Sequence, residues 1–141
     1  AVAHGATPEA REQGAEGLGE IVVATPEAAL KPVVVKMSGP LIRVMSDRYP
    51  WQVKAAILKT TTLLLVKAGP MMKPFLPQLQ TTLLKCLAES SRVVRARTVR
   101  AVGKYVLLGP RVDPLIAELI SAAKTADKAA QVSYIQALEV V

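Results

Sequence analysis

A single cysteine, a single histidine and an aromatic content of 4% in 141 residues remove several kinds of chemistry at the outset. Cys86 alone cannot close an intrachain disulfide, and a reducing compartment is the simpler reading. His4 alone cannot build a histidine-based triad or a metal cluster. So few aromatic rings disfavour a β-sandwich or barrel, and they leave little on which nucleic-acid bases could stack. No basic segment followed by an apolar core marks a signal peptide between Ala1 and Glu20. The most apolar stretch, Ala55 to Val66, contains Lys59 and is too short to span a bilayer, so no membrane partner is expected. Gly14, Gly17 and Gly19 lie in a helix-like stretch without the lysine of a phosphate-binding loop, and Glu12 and Glu16 read as a solvated face. Cys86, set among Leu83, Leu84 and Leu87, reads as a small core residue, and Met71-Met72 as packing at a helix entry. These readings leave no catalytic residue, no cofactor, no metal and no small-molecule substrate. A cytoplasmic, non-enzymatic protein is expected.

What the chain does have is hydrophobic residues, 51% of the total, and they recur with a long period. Gly69, Pro70 and Pro74 return as Gly109, Pro110 and Pro114. A second pattern runs through Ala10, Arg11, Ala15, Leu18 and Gly19 and returns as Val94, Arg95, Val99, Val102 and Gly103. Looser copies begin at Val53-Lys54 and at Ala130-Gln131, where Gln131 replaces the cation. Periods of about 40 residues are those of HEAT and armadillo arrays. The fold expected is therefore all-α, a HEAT-repeat α-solenoid of stacked antiparallel helix pairs in a right-handed superhelix. About three and a half repeats are expected in one continuous domain over residues 1–141: a partial one at 1–24, then 25–68, 69–108 and 109–141. Both ends look cut from a longer chain.

Each period holds two helical stretches. First helices are expected over 29–46, 74–88 and 114–124, and second helices over 8–24, 51–67, 92–108 and 128–141. Thr7, Thr25, Ser91, Asp113 and Asp127 are the expected N-caps, with Pro8, Pro26 and Pro114 at first helical positions. Gly69-Pro70 and Gly109-Pro110 should stop the preceding helices. Pro40 and Pro77 should each kink a helix or mark its true start.

The net charge of +7 is unevenly spread. Between Lys31 and Arg111 there are 15 basic and 2 acidic residues, whereas residues 1–30 carry a net −4 and residues 112–141 a net −2. Arg97, Arg100 and Lys104 share one helix face, and Lys54, Lys59 and Lys67 lie on the preceding second helix. In HEAT stacks second helices line the concave surface, so these cations should face a partner. That partner is either phosphate, as in non-specific RNA contacts sensitive to salt, or an acidic protein surface. Arg11, Lys54 and Arg95 recur at one repeat position and read instead as a structural ladder, paired with acids such as Asp47.

Four segments, Glu9 to Ile21, Ser38 to Leu58, Lys73 to Thr82 and Arg111 to Leu115, carry the words E-A-R-E-Q-G-A-E-G-L-G-E-I, S-G-P-L-I-R-V-M-S-D-R-Y-P-W-Q-V-K-A-A-I-L, K-P-F-L-P-Q-L-Q-T-T and R-V-D-P-L. In this order they resemble the giant HEAT-repeat translational activators of the general-control stress kinase, which phosphorylates the alpha subunit of translation initiation factor two. The resemblance covers Glu9 to Leu138 and points to the region that binds the kinase's RWD domain. It implies a scaffold that recruits the kinase on ribosomes during amino-acid starvation, the ribosome being engaged by the full-length protein. It also implies binding roles for Arg43, in G-P-L-I-R, and for Phe75, in K-P-F-L-P-Q-L-Q. Arg48, in the adjoining D-R-Y, is added as a neighbour. The expected partner-binding residues are thus Arg43, Arg48, Phe75, Arg97, Arg100 and Lys104. The alternatives are a ribosomal RNA contact through the basic middle and a spacer with no partner of its own.

Overall fold

A computed structural model describes residues 7–109 and 111–141, so His4 and Pro110 lie outside the described residues. Among the described residues the chain is helical, without a β-strand: α1 (Pro8–Ala24), α2 (Glu27–Ser46), α3 (Trp51–Lys67), a short α4 (Gly69–Met72), a 3-10 turn (Lys73–Phe75), α5 (Leu76–Cys86), α6 (Arg92–Val106), α7 (Val112–Thr125) and α8 (Lys128–Val140).

Side-chain chemistry explains most of the boundaries. Thr7, Ser91 and Asp127 accept hydrogen bonds from the backbone N–H groups of Ala10, Val94 and Ala130, at 3.1, 3.4 and 2.9 Å. Two expected caps are corrected. Thr25 closes α1 instead of opening α2: its hydroxyl donates to the Ile21 carbonyl at 2.6 Å, and Pro26 takes the N-cap position. Asp113 lies inside the first turn of α7, which starts at Val112, so its carboxylate meets the helix dipole without a cap bond. Gly69-Pro70 follows the end of α3 as expected but itself starts the one-turn α4. Pro77 marks the start of α5, whereas α2 runs through Pro32 and Pro40. Both rings are exposed, as are Ala28 and Lys36, whose carbonyls lose a donor to them.

Packing follows the repeat. α1 lies against α3, α3 against α6 and α6 against α8, while α2, α5 and α7 cover α3, α6 and α8. The first helices α2 and α5 also touch. Equivalent positions turn inward: Val53, Ile57, Thr60, Thr61 and Leu64 of α3 match Val94, Thr98, Ala101, Val102 and Tyr105 of α6, all buried. Their spacing is that of one helix face. Tyr105 bonds the Gln80 amide oxygen at 2.8 Å with its hydroxyl, which lets so large a polar residue sit in the core. Gly19, the repeat glycine of α1, lets α3 come close: a Cβ there would stand 2.9 Å from the Thr60 hydroxyl.

Candidate partner-binding surfaces

The predicted cations divide between two layers. On the second-helix layer, α3 and α6 pack side by side and bring Lys59 together with Arg97 and Arg100 around a shallow cleft of about 220 Å³. Lys104 is one turn beyond Arg100 on the same face. Lys59, Arg100 and Lys104 are exposed and Arg97 is half-buried. Among the described residues none of the four has a carboxylate within 4.0 Å. Lys59 belongs to this group although its helix neighbours gave no reason to set it apart; only the stacking of α3 on α6 shows it. On α1 the sign reverses: Glu16, Glu20 and Val23 line a neighbouring cleft with Lys59 and Leu63.

Arg43 lies on the other layer. Lys36, Pro40, Arg43 and Asp47 form an exposed face at the end of α2. The Arg43 side chain is 81% exposed, and its Nε is 3.4 Å from Asp47 Oδ2. An exposed pair one turn apart contributes only a few tenths of a kcal/mol, roughly, so it leaves the guanidinium free to exchange partners. Arg48 is exposed in the loop to α3. Phe75 is half-buried against the core at the end of the 3-10 turn. Close to it, Lys73 and Arg111 rim a cleft floored by Leu76 and Tyr105, so two separate sequence words, K-P-F and R-V-D-P, meet in space. Arg43 therefore lies on a different layer from Arg97, Arg100 and Lys104.

The recurring cations act structurally, but with other partners than expected. Asp47 pairs with Arg43, and the acid that meets Lys54 is Glu89, at 2.6 Å, in the loop of the next helix pair. Arg95 donates from one Nη to the carbonyls of Glu89 and Ser90 at 2.7 and 2.8 Å. Gln131 does similar work with its amide, which donates to the Ala123 carbonyl at 3.0 Å. The Arg11 guanidinium lies 5.8 Å from the centre of the Tyr49 ring. Lys67, expected from the sequence to face a partner, is instead a clamp: its ammonium donates to the carbonyls of Val22 and Val23, at 2.8 and 2.6 Å, at the end of α1.

Burial pushes the Cys86 thiol up to about 11, away from the thiolate form a nucleophile needs. No group of three or more potential metal ligands occurs among the described residues. No helix among them is long and apolar enough to cross a membrane.

The sequence has relatives in distant organisms. Over 130 residues, 92% of this chain, it is 47% identical to Protein ILITYHIA of Arabidopsis thaliana. It is 50% identical over 115 residues, 82% of the chain, to the stalled ribosome sensor GCN1 of Mus musculus. It is 40% identical over 130 residues, 91% of the chain, to the eIF-2-alpha kinase activator GCN1 of Saccharomyces cerevisiae. The chain spans only 5%, 4% and 5% of these three proteins. No family model matches it. No solved structure matches it either.

Proposed function

We propose, from the premise that this chain is the counterpart of one segment of the GCN1 proteins, that it is a non-catalytic binding segment of a cytoplasmic activator of the eIF-2-alpha kinase. Its helix pairs are HEAT repeats, divided near residues 24, 68 and 108 and wound as a right-handed solenoid. Supporting this reading, each second helix packs on the next at matching positions, the packing expected of a stacked array. The segment captures the kinase's RWD domain, and the longer protein brings the kinase to ribosomes during amino-acid starvation.

The observation that carries the binding role is Arg43. It stands in the G-P-L-I-R word, its side chain is 81% exposed, and its ionic contact among the described residues is a weak one with Asp47 at the end of its own helix. Such a guanidinium can form a charge-assisted, two-pronged bond to a carboxylate of the RWD domain at little cost to the fold. Arg48 supports it from the adjoining loop, and Phe75 acts by holding the start of α5.

The test is calorimetric titration of the chain with the isolated RWD domain. Arg43→Ala should retain the parent's helicity and melting temperature and weaken binding by about tenfold or more, as loss of an interface anchor does. A folded Arg43→Ala variant that binds like the parent would remove Arg43 from the interface.

A further inference from the structure

The second-helix layer carries an apolar row beside its cations. Val23, Val66 and Leu107 occupy one repeat position, each thirteen residues after Ala10, Val53 and Val94, and are 59%, 64% and 75% exposed. Helical spacing puts Val66 on the face of Lys59 and Thr62, and Leu107 on the face of Arg100 and Lys104. Val23 lines the same cleft as Lys59. The row is thus continuous with the cationic cleft between α3 and α6. At one end it runs into Glu16 and Glu20, so the strip is polar along its length.

We infer that this strip is a second docking surface, distinct from the one around Arg43, and that its occupant is a partner protein's segment in which acidic residues alternate with apolar ones. Charge complementarity selects the acids: four cations without carboxylate partners among the described residues lie over α3 and α6. The exposed valines and leucine select a polypeptide over RNA. A phosphate backbone would satisfy the cations but leave Val66 and Leu107 in water, and the exposed ring on α3, Trp51, stands two turns before Lys59 at the start of the helix, not among the residues of the strip. Stacked helices lie about 8–10 Å apart. A segment crossing them as a polyproline II helix, with three residues per turn and about 3.1 Å per residue, therefore places an apolar side chain on the row about every third residue. Its acids fall between, over Lys59, Arg97, Arg100 and Lys104, and its direction is set by repulsion from Glu16 and Glu20.

Displayed random peptides of about 16 residues, long enough to cross three helices at that rise, are selected on the whole chain. The winners are then titrated against the parent, Arg100→Glu, Leu107→Ser and Arg43→Ala, with poly(U) RNA as the rival probe. The expected winners carry Asp or Glu between apolar residues about three apart. Their affinity should fall about tenfold or more with Arg100→Glu and severalfold with Leu107→Ser, and stay unchanged with Arg43→Ala. All three substituted side chains are exposed, and circular dichroism verifies that the variants fold. Failure to select any such peptide would overturn the inference. So would winners indifferent to Leu107→Ser, or poly(U) binding that is lost with Arg100→Glu while no peptide binds. Self-association of the chain through this strip, seen by sedimentation, would also overturn it. None of these results touches the RWD titration, which depends on Arg43.

Discussion

Lys54 and Glu89 are unequal partners. The lysine side chain is 8% exposed and the glutamate 30%, so each can do without the other to a different degree. Glu89→Ala strands an ammonium in the core and should cost about 2–4 kcal/mol, whereas Lys54→Met leaves a carboxylate that still reaches water and should cost about 1 kcal/mol. Urea denaturation of the two variants measures the asymmetry. Cys86 gives a second prediction. Its thiol holds its proton up to about 11 because burial penalises the thiolate, while the unfolded chain releases that proton at ordinary thiol values. This part of the stability is intact below pH ~9 and is lost as the pH rises through about 11, by about 2–3 kcal/mol in all. Melting curves should show a steeper alkaline decline for the parent than for Cys86→Ala. Such residues show where sequence reading stops. The periodic position of Lys54 identified it as structural, but its acid was misassigned to Asp47. The partner comes from the loop of the next helix pair, and a contact between a helix and a loop thirty-five positions apart leaves no local signal.

Helix boundaries were readable where a cap acts alone and ambiguous where two signals compete. Thr7-Pro8-Glu9 and Thr25-Pro26-Glu27 look identical in sequence, yet only the first threonine caps forward. Thr25 sits one residue after α1, close enough to satisfy the Ile21 carbonyl, and that bond holds its hydroxyl. Ser91 has no such competitor and caps α6. Ser91→Ala should lower stability by about 1 kcal/mol, and Ser91→Asp should restore it, as thermal or chemical melts will show. The glycines were placed in the repeat by pattern alone; their reason is contact. At Gly69 a Cβ would fall 2.3 Å from a Leu108 methyl, so Gly69→Ala requires that side chain to move and should cost about 1–2 kcal/mol.

For the molecule as a whole, periodicity in the sequence anticipated all seven long helices and their order, because each helix reuses the same inward positions. The division of the candidate site could not be anticipated. Arg43 and Arg100 belong to helices of different layers, and a list of cations does not say which layer each faces. Neighbour-to-neighbour packing also makes a prediction about cooperativity. Removing residues 111–141 strips α7 and α8 from one side of α6 but leaves the contacts of α1 through α6 in place. The shortened chain should stay helical by circular dichroism, melt at lower temperature and bind more of a hydrophobic dye at its new end. Complete loss of helicity would mean that the helices stand or fall together.

The separation of Arg43 from the α3–α6 cleft has one more consequence. If both proposed surfaces bind, their partners approach from opposite sides of a wall two helices thick and do not displace each other. On that arrangement the arrival of one visitor would be felt by the other only through the shape of the array itself.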